Sequence, residues 1–170
     1  MTDLKVARIG PPFFMFCMFG AVYAGGLPDA LLTPGAIDPS ITQENIQQTV
    51  CVKGYTKTVR PPTYFTNRLK KSQIREYGFA DHDPSNYEED HLIPLSIGGH
   101  PTDERNLWPQ ARRSEWGADK KDQLEVVLYK LVCSGRVPLA DAQREMAQDW
   151  ISAWKRYVPS QRTDKFPRVD

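Results

Sequence analysis

One stretch in the middle of the chain constrains the fold more than any other. Residues 87–99 (YEEDHLIPLSIGG) place an acidic residue directly before a histidine and end in a glycine pair. A glycine pair is typical of a tight turn, and the segments Leu92 to Ile97 and Asn106 to Trp108 on either side predict two strands of a hairpin. A helix is predicted soon afterwards, with Ser114 as its N-cap.

The remaining segments predict a small, mostly helical domain. Apolar residues recur at helical spacing in several stretches, and Gly78 and Gly135 follow two of them as typical helix ends. The expected helices are a short one capped by Thr42 and running to Gln48, then Asn67 to Tyr77, a stripe from Leu124 to Val132, and Leu139 to Val158. The β-branched segment Cys51 to Arg60 predicts a strand or extended arm, which Pro61 and Pro62 end. The fold class is therefore α+β.

Residues 1–24 have the pattern of an export signal. Lys5 and Arg8 precede an apolar run from Pro11 to Tyr23, and Ala24 offers a cleavage point before Gly25. The alternatives are an uncleaved anchor, although the run is shorter than the roughly 20 residues of a spanning helix, and an N-terminus that is apolar by chance. Cleavage predicts an exported protein, periplasmic or extracellular, without stable membrane association.

After cleavage the chain divides into three parts. Residues 25–50 form a lead-in, flexible from Gly25 to Pro39 because of its proline and glycine content; residues 51–158 form a single domain, and residues 159–170 form a polar tail. Cleavage would remove Cys17 and leave two cysteines, Cys51 and Cys133. In an exported chain this predicts one disulfide that closes a loop of about 80 residues, with two buried free thiols as the alternative.

The charge of the chain is balanced overall but divided along its length. The 170 residues carry a net charge of +1, which argues against binding nucleic acid by bulk electrostatics. However, seven basic residues and no acidic one lie from Lys53 to Arg75, and eight acidic residues lie from Glu76 to Asn106 with only Arg105 as a base. Two interpretations stay open: two solvated surfaces, or a phosphate-binding face beside an acidic metal site.

The combination of Asp90-His91, Pro94, Gly98-Gly99 and Asn106-Leu107 resembles the motif of the HNH endonucleases. The resemblance covers Tyr87 to about Cys133. It implies a ββα-metal hairpin-helix unit embedded in the helical domain. More loosely, Gly54 to Pro62 looks like the upstream part of a group of small exported bacterial proteins that carry an HNH-like domain.

The resemblance also implies roles for individual residues. His91 is expected to be the general base, since a neutral imidazole accepts a proton from the attacking water. Asp90 is expected to bind a divalent ion, Mg²⁺, with Mn²⁺ and Ca²⁺ as alternatives. Asn106 is expected to tie the loop between the strands and so to orient His91.

The third letter of the motif departs from the family. HNH enzymes commonly place His or Asn on the helix nine residues past the middle Asn, where this chain has Glu115. Glu115 is expected to complete the metal site as a hard oxygen ligand, with Asp119 and Glu89 as substitutes, or else to cap the helix N-terminus. A zinc site of several imidazoles is disfavoured because the chain has only three histidines, His82, His91 and His100.

Basic residues near the start of the predicted helix are candidates for binding substrate. Arg112, Arg113 and Lys120 are expected to contact the phosphate backbone, with ordinary surface charge as the alternative. The resulting hypothesis is an exported, metal-dependent endonuclease acting on DNA, or on RNA, with little sequence specificity. Two rivals stay open: a non-catalytic ββα module that binds nucleic acid or metal, and an exported interaction protein stabilised by Ca²⁺.

Overall fold

The structure, a computed structural model, describes residues 26–163, and the side chains of residues 26–158. The predicted export signal and the end of the polar tail lie outside this range. The described chain is α+β and contains helices α1 (Tyr55–Val59), α2 (Thr63–Glu76), α3 (Ala118–Cys133) and α4 (Leu139–Thr163) and strands β1 (Tyr87–His91) and β2 (Leu107–Ala111). None of the helices within residues 26–163 combines the length and the apolar character that crossing a membrane requires.

The two strands form an antiparallel hairpin, in which Tyr87 pairs with Ala111 and His91 pairs with Leu107. A loop of residues 92–106 connects them and contains two short 3₁₀ turns, Leu95–Ile97 and Glu104–Asn106. The predicted second strand therefore overlaps β2, but the predicted first strand, Leu92 to Ile97, is wrong. Its apolar residues are buried in the loop rather than paired in a strand, and Pro94 supplies no donor for a ladder.

The segment Cys51 to Arg60 also differs from its prediction. Instead of a strand or extended arm it contains the five-residue helix α1, which begins after Gly54. Among the described residues the sheet consists of β1 and β2 alone, and this segment does not join it. The prolines act as expected, since α1 ends before Arg60 and α2 begins after Pro62.

Helices α2, α3 and α4 lie close to their predicted positions, but the predicted helix from Thr42 to Gln48 is only a 3₁₀ turn, Ile46–Gln48, which follows Asn45 rather than Thr42. Helix α2 starts a turn earlier than predicted, and α4 begins at Leu139 as expected, with a break at Asp149. Helix α3 begins at Ala118 rather than after Ser114. The chain before it turns so that Trp116 packs edge-on against Trp150 and Trp154, with ring centroids 6.1 and 5.5 Å apart.

The core lies mainly between α3 and α4. Leu124 and Leu128 of α3 and Met146 and Trp150 of α4 are fully buried, so the predicted apolar faces of both helices are confirmed. Burying each of these side chains contributes about 1.5–3 kcal/mol before conformational entropy is subtracted. These two helices therefore form the scaffold against which the hairpin is held.

The lead-in is packed against the domain rather than flexible. The Thr33 hydroxyl is buried, lies 2.6 Å from the Tyr77 hydroxyl and donates to the Leu107 carbonyl at 3.1 Å. Farther along, Ile37 forms a bridge with Gly99. The glycines and prolines of this segment allow it to follow the surface of the hairpin closely. The core consequently extends upstream of residue 51, and Ile41, Ile46 and Val50 belong to it.

The predicted disulfide between Cys51 and Cys133 is present and spans 82 residues. It joins the segment before α1 to the last residue of α3.

Replacing both cysteines with serine is expected to lower the free energy of unfolding by about 3 kcal/mol, because the unfolded chain regains the freedom of a long loop. Urea denaturation of the oxidised protein and the double variant measures this difference. Equal urea midpoints for the oxidised protein and the double variant would contradict the expected loss of stability.

Candidate functional site at the His91 end of the hairpin

His91 is the last residue of β1, and its side chain is only 5% exposed. Its Nε2 lies 2.9 Å from the Pro101 carbonyl oxygen, so Nε2 carries the proton and donates it to that bond. Nδ1 is then the free acceptor, and it has no hydrogen-bond partner within the described part of the chain. Burial lowers the pKa of His91, although the Pro101 bond and Asp90 oppose the shift. The imidazole is therefore neutral at pH 7 and can accept a proton.

Asn106 ties together the loop that holds His91. Its side chain is fully buried, and its Oδ1 accepts from the Ile93 N–H at 2.9 Å. Its Nδ2 donates to the carbonyls of Ile93 at 3.0 Å and His100 at 3.1 Å. Because His100 precedes Pro101, these bonds fix the carbonyl that orients the His91 ring. Asn106 therefore positions His91 through the loop. Because its side chain is buried, Asn106 itself does not contact a substrate.

The glycine pair closes the same loop. A Cβ added at Gly99 would lie 1.7 Å from the Ile93 carbonyl oxygen, a distance that no side chain can tolerate. Gly98 has a φ of +79°, in the left-handed region that glycine adopts without strain. The pair thus lets Ile93 approach closely enough for Asn106 to bond both its N–H and its carbonyl.

Asp90 contacts a residue that the sequence-based prediction missed. Its Oδ2 lies 2.7 Å from Nζ of Lys121, whose side chain is completely buried. The same ammonium donates to the His91 carbonyl at 2.7 Å and to Glu125 Oε1 at 2.5 Å. One signal was present in the sequence: Lys121 lies three and seven residues before Leu124 and Leu128, on the buried face of α3.

Lys121 carries a positive charge despite its burial. Burial alone would lower its pKa, but Asp90 and Glu125 outweigh this effect and raise the pKa above its ordinary value. Asp122 lies close to the same group, and burial together with Asp90 and Glu88 raises its pKa. The junction of β1 and α3 is therefore an acidic cluster organised around one buried ammonium.

The predicted metal ligands Asp90 and Glu115 lie on different elements, Asp90 on β1 and Glu115 before α3. Glu115 is exposed in the turn that precedes α3, because the helix begins at Ala118 and not after Ser114. Among the residues that the structure describes, no group of three or more His, Cys, Asp or Glu side chains is arranged to hold a metal ion. Since Lys121 already contacts the Asp90 carboxylate, the residues present do not fit the expected metal site.

Glu89, a substitute ligand in the sequence-based prediction, points away from Asp90. Neighbouring residues of a strand face opposite sides, and the charges that act on Glu89 include Lys70 and Glu76 of α2. Both of its carboxylate oxygens are buried without a hydrogen-bond partner among the described residues. Burial raises the pKa of Glu89 to about 9, so the carboxyl is protonated at neutral pH.

Glu89 makes the stability of the fold depend on pH. In the unfolded chain this carboxyl ionises near 4.5, whereas burial raises its pKa to about 9 in the folded chain. Between these values the unfolded chain loses a proton that the folded chain keeps, so the free energy of unfolding falls as pH rises, by at most about 1.4 kcal/mol per pH unit. Glu89→Gln is expected to exceed wild type in stability at about pH 8 and to match it at about pH 4. Urea denaturation of both proteins at the two pH values measures their stabilities. The same stability difference between variant and wild type at both pH values would contradict this expectation.

The three predicted substrate-binding residues make other contacts or are exposed. Arg112 pairs with Glu88 at 2.6 Å and follows β2 at the end of the hairpin opposite His91. Arg113 is exposed beside it. The Lys120 ammonium lies 4.3 Å from the centre of the Trp116 ring, a cation–π contact. These contacts give Arg112 and Lys120 structural partners, and their role in binding substrate stays a prediction.

A different basic residue is near the candidate site. Arg60 is exposed, and its charge contributes to lowering the pKa of His91. It lines a cavity of about 530 Å³ whose walls also include Lys53, Ser96, Asp122, Glu125 and Tyr129. Arg60 and Lys53 belong to the basic block of the sequence, and Asp122 and Glu125 surround Lys121. The fold therefore brings the basic block against the acidic cluster.

The imidazole rings of the other two histidines are not part of this arrangement. His82 is exposed before β1, and His100 Nδ1 accepts from the Asp103 N–H at 2.9 Å within its own turn. The site thus consists of His91, Asp90 and Lys121, with Asn106 supporting the loop.

Comparison of the chain with protein-family models, with curated proteins and with solved structures finds no match.

Proposed function

We propose that this chain is an endonuclease of the HNH type that hydrolyses phosphodiester bonds of DNA, or of RNA, with His91 as the general base. The geometry of His91 supports this most strongly. A neutral imidazole has one nitrogen fixed by the Pro101 carbonyl and the other left as an acceptor. A fixed tautomer of this kind is what deprotonation of a water molecule requires.

The reaction is a hydrolysis in which one bond forms and one breaks. Nδ1 of His91 takes a proton from water as the water oxygen attacks phosphorus. The bond between phosphorus and the leaving ribose or deoxyribose oxygen breaks, and that oxygen takes a proton from solvent. Imidazolium then returns its proton to solvent, which restores the base. No step is assigned to a metal ion, since the residues do not fit one.

The cavity beside α3 is the proposed place of the substrate backbone. Arg60 lines it and its charge lowers the pKa of His91, and a guanidinium can donate two parallel hydrogen bonds to a phosphate. Lys53 on the same wall adds a second cation. None of these residues forms a groove-reading element, so the proposed cleavage has little sequence specificity.

The proposed setting is outside the cytoplasm. The Cys51–Cys133 disulfide supports it, because such bonds persist mainly in oxidising compartments. The pattern of residues 1–24 adds the expectation of a cleaved export signal in a bacterial chain.

A second candidate function is a nucleic-acid-binding module without catalysis. The burial of His91 at 5% exposure and the pairing of Asp90 with Lys121 favour it. In that case Arg60 and Lys53 would hold a phosphate backbone that His91 cannot reach with an activated water. Binding would then be expected without cleavage.

Incubation of the purified chain with supercoiled plasmid separates the two functions. The assay follows conversion to the nicked form, with Mg²⁺ and with EDTA, beside a gel-shift measurement of binding to the same DNA. The proposed nuclease predicts nicked plasmid. Binding without nicking would replace it with the non-catalytic module, and absence of both would overturn both functions.

A further inference from the structure

Lys121 occupies the junction between β1 and α3, where the Asp90 carboxylate meets the helix. An ammonium has three N–H donors, and each has a partner: the Asp90 carboxylate, the Glu125 carboxylate and the His91 carbonyl oxygen. The side chain is completely buried. One cation therefore binds both members of the Asp90-His91 pair, the first through its side chain and the second through its backbone.

We propose that the Lys121 ammonium is the resident cation of this site, in the position beside Asp90 where a divalent ion was expected, and that the chain holds and uses His91 without a bound metal ion. This deepens the proposed function, and its consequence for cleavage rests on that function. Lys121 is a positioning residue, because its donors are all used and substrate cannot reach it.

The charges at the junction favour a single occupant. A divalent ion bound to Asp90 would lie within a few ångströms of the ammonium, and two cations repel strongly where water is scarce. To make room, Lys121 would have to leave three partners at once. Its stem is packed on the buried face of α3 in the same row as Leu124 and Leu128, so it has no solvated position within easy reach.

Without a metal ion, the positive charge that stabilises the scissile phosphate has to come from another residue. Lys121 cannot supply it, because its charge is committed to Asp90 and Glu125. Arg60, exposed at the cavity and close enough to act on the pKa of His91, is the cation that faces the substrate. Cleavage is then expected to depend on Arg60 and not on added Mg²⁺.

Manganese binding to the wild-type chain, measured by electron paramagnetic resonance, is the primary test. The expected result is no bound Mn²⁺ at millimolar metal, together with a melting temperature that EDTA leaves unchanged. In Lys121→Ala the carboxylates of Asp90 and Glu125 lose their cation, and a bound Mn²⁺ is expected to appear if that variant folds. One Mn²⁺ per wild-type chain, lost in Asp90→Asn, would overturn the inference.

The plasmid assay tests the consequence separately. Equal nicking with EDTA and with Mg²⁺, and its loss in Arg60→Ala but not in Arg68→Ala, is the expected result; Arg68 is an exposed arginine of α2. Nicking that requires Mg²⁺ would overturn the inference and leave the nuclease standing. A chain that neither nicks DNA nor binds Mn²⁺ would overturn the nuclease while supporting Lys121 as the resident cation.

Discussion

Replacing His91 with alanine is expected to slow phosphodiester cleavage by about 100- to 10,000-fold, the range that a general base contributes. The imidazole is the only group at the end of β1 that is neutral, fixed in one tautomer by Pro101 and left with a free acceptor nitrogen among the described residues. Without it the attacking water must lose its proton to solvent. Initial rates of plasmid nicking measure the loss.

Two further variants separate chemistry from folding. His91→Gln keeps an N–H donor for the Pro101 carbonyl but has no basic nitrogen, so it is expected to be as inactive as His91→Ala while staying closer to wild type in stability. His82→Ala removes an exposed histidine outside the site and is expected to cleave at the wild-type rate. Wild-type cleavage by His91→Gln would rule out His91 as the base.

Replacing Lys121 with alanine is expected to lower the free energy of unfolding by about 3–5 kcal/mol, the cost of removing one partner from a buried ion pair. The carboxylates of Asp90 and Glu125 would be left facing each other, and the His91 carbonyl would lose its donor. Urea denaturation measures the change. It is expected to be among the largest effects of a single substitution in the domain.

The control on the same helix is Lys130→Ala, which removes an exposed lysine and is expected to change stability by less than about 0.5 kcal/mol. Lys121→Met retains most of the buried stem without the charge. If charge is the dominant cause, methionine is expected to be nearly as destabilising as alanine, and adding Asp90→Asn with Glu125→Gln is expected to recover part of the loss. Equal stabilities of Lys121→Ala and Lys130→Ala would contradict this account.

The parts of the fold that follow from local chemistry could be predicted from the sequence. The apolar stripes of α3 and α4 lie where their 3.6-residue spacing places them, and Cys51 pairs with Cys133. Gly98 and Gly99 form the turn that their lack of a Cβ permits, and Asn106 is bonded across the loop beside it.

Other features depend on contacts that no local pattern reveals. Leu92 to Ile97 has the composition of a strand because the loop is buried against the core, and burial favours the same apolar residues in either conformation. The segment Cys51 to Arg60 alternates like a strand but does not join the sheet of the described residues, and it contains α1 instead. A strand requires a paired neighbour, and whether a segment reaches one depends on the whole fold.

The candidate site shows the same division. The place of Asp90-His91 at the end of a strand was expected, whereas the partner of Asp90 was not. Counting nine residues from Asn106 indicates Glu115 only if the helix has already begun, and the turn that packs Trp116 delays α3 until Ala118. The residue that reaches Asp90 is therefore Lys121. Its spacing from Leu124 and Leu128 indicates burial, but its contact with Asp90 could be inferred only once α3 was known to face the hairpin.

Hydrolysis at the His91 site is tested most directly by the fate of the water oxygen. Cleavage of a short DNA duplex in water enriched in the heavy oxygen isotope, followed by mass spectrometry of the products, shows whether water attacks phosphorus. The account predicts one heavy oxygen in the product phosphate with wild-type chain and no product with His91→Gln. Unlabelled product, or labelled product formed equally by His91→Gln, would contradict it.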